Sequence, residues 1–179
     1  PWSRRWAVSG ASSGAEKAPR HPISSLWAAL DAHPLRRKME LIEGSSIAPD
    51  VVADIHRRVA GFAGQGTNRV LVCLDSNHTH AHVLAELEAY APLVTPGSYC
   101  IVYDTVIEDL PETSAPGRPW GQGDSPKTAV IEYLARLADE GRTADDGRPL
   151  RLEVDETVEN KLLITVAPHG YLRRLGPPS

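Results

Sequence analysis

The chain has 179 residues, 41% of them apolar and 23% charged, with a formal net charge of −4. These values suit one globular domain with a real core, and they argue against a nucleic-acid partner gripped mainly through phosphates. No apolar run approaches the roughly 20 residues of a membrane span, and two cysteines make no disulfide scaffold, so a cytoplasmic protein without a membrane partner is expected.

In chain order, residues 1–22 read as an irregular or disordered N-terminal segment, and 23–179 as the folded domain. The glycines of VSGASSG invite a nucleotide-loop reading. That reading is set aside because no convincing strand precedes them and no apolar-periodic helix follows. Ser24–Ala32 suits a short helix, with Leu26, Trp27 and Leu30 as its apolar side. Met39–Ile42 reads as a brief strand, followed by a turn through Ser45 and Ser46. Pro49 is well placed to start a helix, with Val51, Val52, Ile55 and Val59 as its buried face.

Next comes the densest stretch, Arg69 to Thr105. Arg69–Leu74 is an apolar strand ending in Asp75. His82–Val94 carries Val83, Leu87, Ala91 and Val94 at helical spacing and is closed by Pro96-Gly97. Tyr99–Tyr103 is a second strand, ending in Asp104. A strand-helix-strand unit makes its strands parallel and brings both their ends to one edge of the sheet, where open α/β sheets bind ligands. Cys73 and Cys100 fall inside these strands as small core residues. Val106–Ser125 is a long loop containing Trp120, readable either as a lid over a substrate or as ordinary surface. Ser125-Pro126 begins a helix with Val130, Leu134 and Leu137 on its apolar stripe. Arg151–Val154 and Lys161–Val166 read as a closing antiparallel pair of strands. Tyr171-Leu172-Arg173-Arg174 reads as a packing segment with solvated arginines. About five strands alternating with three or four helices predict a mostly parallel α/β sheet.

Several residues in this frame carry chemistry. Asp75 and Asp104 either cap the elements that follow them or converge on a hard divalent cation, which prefers carboxylate and water oxygens. His78, His80 and His82 form an H-x-H-x-H run at a loop-to-helix junction. A transition-metal site is one reading of it, since imidazole suits zinc and iron. At most one of the imidazoles is expected to point into the crevice.

LDSNHTHAHVLAELEAYAPLV followed by PGSYCIVYDT resembles the cephalosporin hydroxylase/rhamnosyl O-methyltransferase family, with similarity running from about Ala32 to Leu175. The resemblance implies a Rossmann-like methyltransferase three-layer sandwich, N-terminally truncated here, that uses S-adenosylmethionine and Mg²⁺. It implies Asp75 and Asp104 as metal ligands, and His78 beside Asp75 as the catalytic pair. The Ser45–Ser46 turn would border the cofactor's adenine, although the same serines suit helix capping. Two departures stand out. The family's first two strands, with their glycine-rich cofactor loop, are not found, so weak cofactor binding is expected. Tyr103 stands where the family usually has a carboxylate, and a neutral phenol is a poor magnesium ligand.

The function expected is therefore O-methyl transfer to a hydroxyl of a natural-product sugar or related small molecule. Two alternatives stay open. One is a non-catalytic remnant or partner subunit of that fold. The other is a metal-dependent hydrolase built on the histidine run. Self-association is left open.

Overall fold

The computed structural model describes residues 5–9, 28–63, 69–111, 114 and 116–176. Its elements are β1 (Arg5–Ser9), β2 (Met39–Glu43), α1 (Pro49–Ala63), β3 (Val72–Leu74), α2 (His80–Tyr90), β4 (Tyr99–Val102), α3 (Pro126–Glu140), β5 (Leu152–Val154), α4 (Glu156–Glu159) and β6 (Tyr171–Arg174). They form a mixed α/β fold with a two-stranded sheet, β1-β2, and a four-stranded sheet in the order β3-β4-β6-β5. β3 and β4 are parallel neighbours, with Val72 opposite Cys100 and Leu74 opposite Val102. β6 runs antiparallel to both β4 and β5.

Local chemistry accounts for the helix limits. α1 begins at Pro49, whose missing N–H leaves nothing unpaired at a first helical position. Before it, Gly44 has φ +152°, and a Cβ there would lie 2.7 Å from Val51 Cγ2, so the turn out of β2 needs glycine. α2 gives way at Ala91–Leu93 to a 3₁₀ turn containing Pro92, which lacks the N–H to continue an α-helix. α3 starts in a capping box, Ser125 accepting from the Thr128 backbone and Thr128 from Ser125 N. α2 and α3 pack side by side on one face of the sheet. Beneath them lie Val83, Leu87, Cys100, Val102, Val130 and Tyr133, all nearly inaccessible. The opposite side of β4 leaves Tyr99 and Ile101 half-buried. Among the described residues, no helix is long and apolar enough to cross a membrane.

The parallel pairing expected for the Arg69–Thr105 unit is present, with shorter strands. Val70 leaves the sheet because its N–H donates to Thr95 Oγ1 at 3.0 Å. Cys73, expected in the core, is exposed while Cys100 is buried, and three further expectations need correction. The N-terminal segment is not irregular throughout: Arg5–Ser9 is a strand lying parallel to β2, so a strand does precede Gly10. The remainder of 1–22, with residues 24–27 of the expected Ser24–Ala32 helix, lies outside the described residues, while 28–31 are helical as expected. Lys161–Val166 is not a strand. It is a loop that leaves Leu163 98% and Ile164 85% exposed, and Tyr171–Arg174 takes the expected place beside β5. Gly170 permits this, since a Cβ there would sit 2.2 Å from the Val102 carbonyl oxygen. With no side chain, Gly170 lets its own carbonyl accept from Val102 N at 2.9 Å as β6 begins.

The third correction concerns the arginines of this segment. Arg173 is exposed, but Arg174 is 2% exposed, its guanidinium donating to the Val94 carbonyl and to Asp146 Oδ1. Burial alone would raise the Asp146 carboxyl. The Arg174 guanidinium and the Arg148 backbone N–H outweigh it and hold the group below its ordinary value. A depressed carboxyl contributes stability above its unfolded pKa, and that contribution is lost as pH falls through the folded value. Asp146→Asn should therefore destabilise the fold by about 3 kcal/mol, because it strands a buried cation. Arg174→Met should cost less, since Asp146 is one-third solvated already. Urea melts at neutral pH and at pH 3 check this. The gap between parent and Asp146→Asn should narrow in acid, and equal loss in the two variants at neutral pH would contradict the account.

Candidate active site

β3 and β4 end side by side because Leu74 and Val102 are partners in a parallel ladder, which Tyr103 N extends by donating to the Leu74 carbonyl at 3.0 Å. Asp75 follows Leu74 directly. Asp104 follows Tyr103 in the left-handed region, φ +56°, and opens a 3₁₀ turn over Thr105–Asp109. Non-glycine residues in that region are uncommon, and backbone strain of this kind concentrates at functional sites. Ligand atoms of Asp75, His78 and Asp104 all lie within 4.8 Å of one another, the one group of three such residues found among those described.

His78 Nε2 is 2.8 Å from Asp104 Oδ2 and 4.0 Å from Asp75 Oδ1. An ionised carboxylate can only accept, so this contact puts the imidazole proton on Nε2 and leaves Nδ1 basic. His78 and Asp104 side chains are 18% and 35% exposed, and Asp75 is the most open at 61%. The site is thus a crevice with one dry wall and one wet one.

The donor set suits a divalent cation. The two carboxylates supply hard ligands with the imidazole beside them, and open positions remain for water or a substrate hydroxyl. Two atoms bound to one Mg²⁺ lie at most about 4.2 Å apart, close to the spacing seen. Tyr103 stands near Asp75. Burial raises its hydroxyl above the usual phenol range, helped by the neighbouring Cys73, to which it is hydrogen-bonded, and by Asp75.

The dry wall is aromatic. The Trp120 ring lies 5.4 Å from that of His78, tilted by 31°, and the Arg118 guanidinium stands 5.7 Å over Trp120. The segment carrying Trp120 is fastened to the fold. Glu108 accepts from Gly123 N at 3.0 Å and from Ser125 Oγ at 2.7 Å, and Asp124 Oδ1 accepts from His80 N at 2.6 Å.

The three imidazoles of the H-x-H-x-H run diverge. His78 serves Asp104. His80 Nδ1 meets Thr128 Oγ1 at 2.8 Å and its Nε2 meets Glu132 Oε2 at 2.9 Å, both on α3. His82 Nε2 meets Ser46 Oγ at 3.0 Å and Ser76 Oγ at 3.1 Å. Alternate residues on a helix start point to different sides, so the run does not gather on one metal and the hydrolase alternative loses its geometry. Ser46 is 3% exposed, its hydroxyl engaged by His82, while Ser45 is half-buried beside it and its carbonyl accepts from Ala48 N. Glu86 was not singled out from the sequence. Its signal is positional: it falls with Val83, Leu87 and Tyr90 on the buried stripe of α2, an acid where an apolar residue is the rule.

Residues 25–175 match the family described as Rhamnosyl O-methyltransferase/CmcI. Over 133 residues the chain is 31% identical to the rhamnosyl O-methyltransferases of Mycobacterium bovis (strain BCG / Pasteur 1173P2) and Mycobacterium tuberculosis (strain ATCC 25618 / H37Rv), covering 74% of this chain and 46% of each relative. Over 146 residues it is 32% identical to the rhamnosyl O-methyltransferase of Mycobacterium leprae (strain TN), covering 80% of this chain and 55% of the relative. No solved structure matches. The chain therefore spans about half the length of the curated relatives it matches. The match across 25–175 fits the resemblance carried by the strand-helix-strand stretch, and the chain belongs to the rhamnosyl O-methyltransferase/CmcI family.

Proposed function

We propose that this chain carries the metal and acceptor side of an S-adenosylmethionine-dependent, Mg²⁺-assisted O-methyltransferase acting on a hydroxyl of a sugar or related small molecule. The observation that carries the reading is the convergence of Asp75, His78 and Asp104 where two parallel strands end. Family membership and relatives named rhamnosyl O-methyltransferases support methyl transfer and a sugar hydroxyl.

S-adenosylmethionine would supply an electrophilic methyl on a sulfonium, and Mg²⁺ a charge that acidifies a bound hydroxyl. The chain's residues do the rest. Asp75 and Asp104 would hold the cation at the strand ends. His78 Nδ1 would take the proton of the acceptor hydroxyl. Asp104 holds Nε2–H and so keeps the ring in its basic tautomer. Trp120 offers an apolar platform for the flat C–H face of a sugar and excludes water from His78. The Ser45–Ser46 turn would border the adenine. Positioning two bound reactants supplies most of the barrier reduction in such a reaction.

Two experiments test this. Asp104→Asn should weaken Mn²⁺ or Mg²⁺ binding by about tenfold, or about 1.4 kcal/mol. His78→Gln should leave metal affinity unchanged and lower the rate of methyl transfer to a rhamnoside by about 100-fold. Calorimetric titration and a product assay read the two effects. Unchanged metal affinity in Asp104→Asn removes the metal from this crevice, and an equal metal loss in His78→Gln makes His78 a ligand rather than a base.

Tyr103→Glu adds a carboxylate beside Asp75 and Asp104. Without metal, the three like charges repel and destabilise the apo protein. With metal the repulsion is relieved, so Mg²⁺ should raise the melting temperature of the variant more than that of the parent. Equal shifts would show that position 103 does not face the cation.

A further inference from the structure

We infer that His82 is a positioning residue, which with Glu86 and Tyr90 locks the turn after β2 to the loop after β3 and so holds Asp75 and His78 in place. The inference rests on the reading of Asp75, His78 and Asp104 as the reactive group. Its observations are separate from that reading.

His82, Glu86 and Tyr90 recur every fourth residue of α2 and so share one face of the helix. That face touches two other segments. Toward the β2–α1 turn, His82 Nε2 meets Ser46 Oγ at 3.0 Å, and the Tyr90 hydroxyl donates to the Ser46 carbonyl. Toward the β3–α2 loop, His82 Nε2 meets Ser76 Oγ at 3.1 Å, and Ser76 Oγ donates to Glu86 Oε1 at 2.7 Å. Ser76 is the residue after Asp75 and lies two before His78. One helix face thus grips both segments.

Proton arithmetic fixes the direction of these bonds. The Ser76 hydrogen goes to the Glu86 carboxylate, which only accepts. Ser76 Oγ is therefore an acceptor toward His82, and His82 Nε2 must carry a hydrogen. Glu86 is 2% exposed, sits among apolar neighbours, and its Oε2 has no partner among the described residues. A leucine there would fill the stripe with no desolvation cost. What the carboxylate adds is the anchor for Ser76.

The experiment uses the full chain with His82→Leu and His82→Gln, the latter presenting an N–H close to where Nε2 lies. Hydrogen exchange is read segment by segment, with Mn²⁺ affinity and thermal melting measured on the same proteins. His82→Leu should speed exchange about tenfold at both Ser45–Ala48 and Ser76–Thr79, with α3 and β5 unchanged, as expected for local opening. It should also weaken Mn²⁺ binding about tenfold. His82→Gln should restore both. Ser76→Ala, which removes the shared hydroxyl and leaves the imidazole, should loosen the same two segments, and it stands in should His82→Leu not fold. Unchanged exchange at the two segments, or a uniform rise across the fold, overturns the inference, as does a glutamine variant no better than leucine. If the parent fails to bind Mn²⁺, the metal reading falls, and the exchange pattern still decides whether His82 is the clamp.

Discussion

The site depends on the pairing of β3 with β4. Parallel strands in register end together, and here the last ladder pair, Leu74 and Val102, lies one residue before Asp75 and two before Asp104. Slipping the pairing by one residue would invert which side chains face the helices. Cys100 and Val102, fully buried under α2 and α3, would then exchange places with half-buried Ile101. The apolar core therefore holds the register, and the register holds Asp75 near Asp104. A hydrophobic constraint sets an electrostatic arrangement that no direct bond between the two carboxylates could set, since they repel.

That repulsion is managed by what surrounds the acids. His78 donates to Asp104, while Asp75 stays open to water, which screens it. A cation would replace the screening water on one side and relieve the pair on the other. The surrounding acids are handled differently. Glu108 is spent on the Gly123 N–H and the Ser125 hydroxyl, Asp124 on the His80 N–H of α2, and Glu86 on Ser76. The crevice thus contains acids free to meet a ligand and acids engaged by the protein. Their partners separate the two kinds, since Asp104 and Glu108 are equally half-buried while Asp75 is open and Glu86 buried.

The strand-helix-strand unit was legible because both codes it uses are local. An apolar run ending in an acid reads as a buried strand reaching its sheet edge, and the spacing of Val83 and Leu87 reads as a helix. Asp75 and Asp104 followed from that unit, and His78 from the family resemblance. The C-terminal pairing was misread because Lys161–Val166 and Tyr171–Arg174 are both strand-like by composition. What chooses between them is Gly170, whose lack of a side chain lets the chain approach Val102, and the burial of Arg174 against Val94 and Asp146. Both are tertiary contacts with no periodic trace. Glu86 escaped notice for the same reason. An acid in an apolar stripe is legible as an exception, but its partner Ser76 lies ten residues earlier, in a loop.

The left-handed backbone at Asp104 shows how such a site is held. A non-glycine residue at φ +56° costs on the order of 1–2 kcal/mol relative to an ordinary conformation. It persists because the chain is fixed on both sides. Before it, Tyr103 N is bound to Leu74 O. After it, Thr105 is fully buried, its hydroxyl donating to the Pro168 carbonyl at 2.7 Å, and Ile107 N returns to Asp104 O at 3.1 Å. Relaxing Asp104 alone would break one of these anchors. Glycine would remove the strain and with it the carboxylate, so the fold would gain what the site loses. The strained position and the proposed metal ligand are one residue, held by contacts in the loop before β6. The antiparallel end of the sheet thereby helps to aim a side chain at the parallel end.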